Sequence, residues 1–219
     1  PISVAEARTP MGSEKRQHIA ALLAMPRLAE AWIGQHGEPA SAADIDALYE
    51  RLIPIQREAI AARTTGIDGL SGVIQYCSTH GIGIGVNTGY GRSMIDGLLQ
   101  RLADQGFHPA SVVAATDVVH ARPAPDMSLL GAMQLGAPCV QACVKVDDTA
   151  VGIEEGLNAG MWTVGVSVSG NGVGMDPTDW LALPEDEQAR KRETAAEPLI
   201  AAGAHAVIDS IADLPAVLD

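Results

Sequence analysis

Along residues 5–63 apolar side chains recur every third or fourth position, as in Ile19, Leu22, Leu23 and Met25 and again in Ile45, Leu48, Leu52 and Ile55. That spacing gathers them on one face of a helix, so the segment reads as helical. Pro26, Pro39 and Pro54 are expected to divide it into short helices, because proline lacks the amide that an interior turn needs. Ser41-Ala42-Ala43-Asp44 has the form of a capping box, with Asp44 supplying the acid at the third helical position.

After Thr64-Thr65-Gly66 the texture changes to short apolar runs, each closed by Gly, Asp or Thr and followed by a helical stretch. Strands are expected at residues 83–87, 111–115, 140–146, 163–168 and 205–208, with helices at 69–80, 90–105, 126–135, 151–159 and 184–202. Continuous apolar strands alternating with helices indicate a parallel sheet covered on both faces. The expected fold is therefore α/β, a doubly wound, Rossmann-like parallel-sheet core over residues 66–219 preceded by a small helical domain over residues 1–65. Ligands of such sheets collect outside the carboxyl ends of the strands. The residues there are Thr88-Gly89-Tyr90, Thr116-Asp117, Asp147-Asp148-Thr149 and Ser169-Gly170-Asn171, a small, polar, glycine-rich set suited to phosphate.

Charge narrows the ligand. With a net charge of -13, long-range electrostatics repel nucleic acid and anionic membrane surfaces, so neither is an expected partner. An anionic small molecule would need a locally built positive site. No run approaches the ~20 apolar residues that a membrane span needs, and the first residues do not resemble a signal peptide. Cys77, Cys139 and Cys143 are odd in number, and the CxxxC spacing of the last two matches neither a zinc ribbon nor a redox CxxC. Reduced thiols in a soluble, cytoplasmic protein are the expectation.

Three short words carry chemistry. Val144-Lys145-Val146-Asp147-Asp148-Thr149 sets two carboxylates where a buried strand ends, a position suited to Mg2+, although an acidic turn capping the next helix explains the same residues. Ala121-Arg122-Pro123-Ala124-Pro125-Asp126 holds Arg122 on a stiff loop before a helix, where a guanidinium can grip phosphoryl oxygens in pairs or simply sit at the surface. Asn87-Thr88-Gly89-Tyr90-Gly91 joins a hydroxyl to glycine-exposed amides at a helix start, an anion cradle or an ordinary turn.

In the order Thr88, Arg122, Asp148, these words resemble three motifs of the haloacid-dehalogenase-type superfamily. Met11-Gly12-Ser13-Glu14-Lys15-Arg16-Gln17-His18-Ile19 is similar to the MGxxKxxHI signature of the phosphonoacetaldehyde hydrolase family, and the resemblance extends from Ala5 past Gly174. Lys15 is one of three lysines beside eleven arginines. Only lysine can lose its proton at modest cost, as an imine-forming amine must.

The resemblance implies hydrolysis of the P–C bond of phosphonoacetaldehyde through a Schiff base on Lys15 and an aspartyl phosphate. Lys15, Arg122 and Thr88 would be catalytic. Asp148 would hold Mg2+, and Met11, Gly12, His18, Gly89 and Tyr90 would line the substrate pocket. It also implies a cap role for the N-terminal helices and a homodimer through them; Leu28 and Trp32, apolar and four residues apart, fit either such an interface or the core.

Two departures stand out. The first core strand of the family, which carries the nucleophilic aspartate and lies between the strands ending at Thr88 and Asp147, has no counterpart in these residues. Without it the chain is expected to bind without turnover and to be poorly soluble. The second acid that some members carry four residues after the metal-binding one is Gly152 here, so coordination would rely on water or on Asp147. A general sugar-phosphate phosphatase or mutase, and a nucleophile-less phosphonate- or phosphate-binding remnant, remain open as alternatives.

Overall fold

A computed structural model describes residues 1–62 and 66–219; the change of texture at Thr64-Thr65-Gly66, and with it the expected domain boundary, falls on the edge of the undescribed residues. Four helices open the chain: α1 (Val4–Arg8), α2 (Lys15–Ala24), α3 (Pro26–His36) and α4 (Ala42–Ala62). Pro26 occupies the first turn of α3, where its missing N–H costs nothing. The Ser41 box forms at the start of α4, with Asp44 N–H donating to Ser41 Oγ at 3.2 Å and Ser41 N–H to Asp44 Oδ2 at 2.8 Å.

Pro54 does not divide this region as expected: α4 runs through it. The carbonyl that loses its partner belongs to Glu50, four residues back on an exposed face, where water can satisfy it. The inward stripe of α4 also departs from expectation, since Ile55 is 64% exposed and Tyr49 and Ile53 pack instead against Met94, Ile95 and Ala114.

The rest of the chain alternates: α5 (Leu70–His80), β1 (Gly85–Thr88), α6 (Arg92–Ala103), β2 (Ser111–Ala114), α7 (Asp126–Gln134), β3 (Val144–Asp147), α8 (Ala150–Asn158), β4 (Trp162–Val166), α9 (Pro177–Leu181), α10 (Glu185–Ala201), β5 (Ala206–Ile208) and α11 (Pro215–Leu218). All observed pairings are parallel. The run at 140–146 is a strand only from Val144; Val140–Ala142 form a 3-10 turn, a distinction that an unbroken apolar run cannot signal. Helix α9 was not expected, although Asp176-Pro177 is an ordinary helix start.

Among the described residues the strands pair in two sets, β1–β2 and β3–β4–β5, as expected of a core lacking the strand between those that end at Thr88 and Asp147. The division falls between β1 and β3. These strands are bridged by side chains and not by a backbone ladder, since Lys145 Nζ on β3 donates to Asn87 Oδ1 on β1. Cores form on both sides: Val164, Val166 and Ile208 with Val73, Cys77 and Leu214, and Val113 with Ala115 and Met127. No helix among the described residues is long and apolar enough to cross a membrane.

Among the described residues one edge of β1 and one of β3 thus lack a strand partner, and such edges invite pairing with other chains. We expect the 219 residues expressed alone to self-associate in light scattering and to melt broadly by circular dichroism. A monomer with a sharp, cooperative melt would show that the side-chain bridge suffices.

Candidate active site

The carboxyl ends of β1 and β3 face a buried charge network. Arg122, 7% exposed, reaches it from the loop before α7. Its Nε donates to Glu155 Oε2 at 2.8 Å, and its Nη2 lies 2.8 Å from Asn87 Oδ1 and 2.9 Å from Asp147 Oδ2. Lys145 Nζ lies 3.0 Å from Glu155 and 3.3 Å from Asp147. Two cations therefore meet two carboxylates, which is how buried charge becomes tolerable. Burial opposes the ionisation of Asp147, but the charges of Lys145 and Arg122 outweigh it and hold this carboxyl below its usual range.

Glu155 was not anticipated. A glutamate on a helix ordinarily reads as solvated, yet this one is 0% exposed and accepts hydrogen bonds from Asn87 Nδ2 and Ser128 Oγ, each at 2.7 Å, besides its two cations. The available signal was Gly156 beside it. A Cβ there would lie 2.7 Å from Lys145 Cβ and from Thr163 Cγ2, so glycine lets α8 lie close on β3 and β4.

The N-terminal segment closes on this network. Arg122 Nη1 donates to the Gly12 carbonyl at 3.3 Å. Gly12 has φ of +92°, and a Cβ on it would meet Thr149 Oγ1 at 2.3 Å; a Cβ on Gly89 would meet the Ser13 carbonyl oxygen at 2.8 Å. The two glycines thus permit contact between residues 11–13 and the turns after β1 and β3. Thr88 Oγ1 accepts the Tyr90 N–H at 3.1 Å and tightens its turn. The amide of Arg92, at the start of α6, donates to Thr116 Oγ1, so that donor of the expected anion cradle is already engaged.

Lys15, on the first turn of α2, is 6% exposed. Its Nζ stands 5.0 Å from the centroid of the Tyr90 ring and 3.9 Å from Met11 Sδ. Burial is the largest influence and lowers its pKa; Glu14 opposes this and the Arg122 charge reinforces it. Arg16, next in sequence, turns away to Asp46. His18 lies on the same buried face, and burial followed by the Lys15 charge favours its neutral form. Met11, Gly12, Lys15, His18, Thr88, Gly89, Tyr90 and Arg122 are thus linked by a continuous chain of contacts or charge interactions.

Asp148 follows Asp147 in the turn after β3. Its Oδ2 accepts the Asn171 N–H at 2.7 Å, and Gly170 leaves it room, since a Cβ there would stand 2.4 Å from Asp148 Cβ. Burial first and the Asp147 charge second push its carboxyl up, a cost that a cation would remove. Its hard oxygen donors fit a divalent ion. No group of three or more His, Cys, Asp or Glu side chains arranged for a metal exists among the described residues, so such an ion would complete its shell with water or ligand oxygens. Gly152, in place of a second acid, has its side-chain space filled: a Cβ there would lie 2.0–2.3 Å from the carboxylate atoms of Asp147.

Comparison with known proteins gives the family. A family model described as haloacid dehalogenase-like hydrolase matches residues 1–160, and the chain belongs to that family. It is 51% identical over its whole length to the phosphonoacetaldehyde hydrolase of Hahella chejuensis, covering 74% of that protein, and 47% identical to the one from Paraburkholderia xenovorans, covering 82%. A crystal structure of a phosphonoacetaldehyde hydrolase-like protein from Oleispira antarctica superposes with a TM-score of 0.97 at 50% identity, over 99% of this chain and 79% of that one. Within the family, its place is in the phosphonoacetaldehyde hydrolase branch. A hydrolase from Pseudomonas syringae, 17% identical with a TM-score of 0.67 over 100% of this chain and 84% of that one, shares the fold.

The contact between Gly152 and Asp147 is open to test. Gly152→Ala should destabilise the protein by about 1–3 kcal/mol in urea titrations, the usual range for overpacking. In an Asp147→Ala background, where the obstructing carboxylate is gone, the added cost should fall below about 0.5 kcal/mol. Equal costs in both backgrounds would exclude the steric origin.

Proposed function

We propose that the protein hydrolyses the P–C bond of phosphonoacetaldehyde to acetaldehyde and phosphate, with residues 1–65 acting as a cap over a core of residues 66–219. The observation that carries this reading is Lys15, an amine buried among Met11, Tyr90 and Arg122 with its pKa lowered. The names of the relatives support the same substrate. Breaking a P–C bond directly would expel a carbanion. Condensation of Lys15 with the aldehyde releases water and gives a protonated imine that accepts the bonding electrons, so that the departing fragment is a neutral enamine. Protonation of the enamine carbon and hydrolysis of the imine then release acetaldehyde and regenerate Lys15.

The phosphoryl group passes in this reading to an aspartate contributed from outside the 219 residues, and water cleaves the resulting aspartyl phosphate. Arg122 and Thr88 orient the phosphoryl oxygens. Asp148, with Asp147 beside it, would hold Mg2+, which when bound offsets charge on the transferring group. Met11, Gly12, Gly89 and Tyr90 enclose the aldehyde, and neutral His18, three residues from Lys15, is suited to move protons around the imine. Tyr90 stays protonated because burial pushes its phenol up.

The reading includes a cytoplasmic setting, consistent with three free cysteines. It also includes a homodimer through the N-terminal helices. Leu28 is buried within the chain, whereas Val4, Ile33 and Ile55 are exposed apolar residues on these helices.

Borohydride reduction of the full-length protein with phosphonoacetaldehyde should fix the two-carbon fragment to Lys15, located by peptide mass spectrometry, and Lys15→Arg should abolish the adduct. Hydrolysis of phosphate esters that survives Lys15→Arg, with no adduct in the wild type, would favour a general phosphatase. Because the neutral amine attacks, capture should be lost as pH falls through the Lys15 pKa and should level off below about pH 10.4, the ordinary lysine value. A rate still climbing past that value would contradict the lowered pKa.

A further inference from the structure

Glu155 is the most enclosed charged side chain of the site, and no step of the proposed reaction uses it. Its Oε2 receives the Nε–H of Arg122 at 2.8 Å, and its Oε1 receives Asn87 Nδ2 and Ser128 Oγ, each at 2.7 Å. Asn87 in turn accepts from Arg122 Nη2 at 2.8 Å. Glu155, Asn87 and Asp147 therefore occupy the Nε and Nη2 side of the guanidinium. The edge left over is Nη1, which faces the Gly12 carbonyl at 3.3 Å and, of its two N–H groups, commits one there. That edge points to the segment bearing Lys15.

A guanidinium on a loop has several rotamers, and a carboxylate pairing with Nε fixes the plane in which the others can bind. Ser128 and Asn87 orient the Glu155 carboxylate from α7 and β1, while Gly156 seats its helix against β3 and β4. We infer that Glu155 is the positioning residue for Arg122: it turns the free edge of the guanidinium toward the phosphoryl group of the substrate without touching that group itself. This rests on the proposed reading only in taking Arg122 as the phosphoryl-binding cation.

Inorganic phosphate is the probe, because its binding needs neither Lys15 nor turnover. In the full-length protein, Glu155→Gln keeps the shape and removes the charge. It should weaken phosphate binding in calorimetry about tenfold, the scale of one charge-assisted hydrogen bond. In an Arg122→Ala background the same change should alter binding less than about twofold, since coupled residues do not add. Ser128→Ala, a milder change for use if Glu155→Gln does not fold, should show a smaller loss with the same dependence on Arg122.

Equal losses in both backgrounds, or unchanged phosphate affinity in a folded Glu155→Gln or Ser128→Ala protein, would overturn the inference. Failure of Lys15 trapping alongside intact coupling would sink the P–C reading and leave this one standing. Trapping with no coupling would do the reverse.

Discussion

A guanidinium cannot be buried unless acceptors surround it, and the way Arg122 meets that demand organises this protein. Its partners come from four places: Glu155 on α8, Asp147 at the end of β3, Asn87 on β1 and the Gly12 carbonyl before α2. One side chain thereby joins both sheets to the N-terminal segment. Replacing a single partner would leave charge buried without compensation, which is far more costly than the modest net gain of the intact pairs. Closeness of backbone is the precondition, supplied by Gly12, Gly89, Gly152 and Gly156 at the points where a Cβ would collide.

The same network sets the electrostatics of the amine. Arg122 and Lys145 are balanced by Asp147 and Glu155, so the site as a whole is not strongly charged. Lys15 stands just outside that balance. It makes no ion pair among the described residues and instead meets a thioether and an aromatic ring. Removal from water costs an ammonium more than a neutral amine, and a neighbouring guanidinium adds to the effect. The stable architecture and the reactivity proposed for Lys15 thus share a cause.

Much of the fold was legible in the residues, because each strand lies in or at the end of a largely apolar run and the turns after them carry Gly, Asp or Thr. The parallel α/β alternation and the ends of β1, β2 and β3 fall within a residue or two of their expected places. Pro54 misled, since a proline on an exposed helical face removes one bond without ending the helix. The residues of the site were legible through their likeness to a family, not through periodicity, and the contacts among Met11, Gly12, Lys15, Gly89, Tyr90 and Arg122 could not be read from spacing. Glu155 was hidden for a clearer reason: its burial depends on Asn87, Arg122, Ser128 and Lys145, partners scattered over some sixty residues of chain. Local sequence says only that a helix carries a glutamate.

The most direct measurement is the protonation equilibrium of Lys15 in the full-length protein, followed by the 13Cε resonance in a protein labelled at its lysines and assigned with Lys15→Arg. A buried amine beside Arg122 requires the Lys15 signal to titrate below the ordinary value of about 10.4. A midpoint at or above that value would mean that the amine is solvated or paired with an acid, and neither the burial nor the imine chemistry drawn from it would stand.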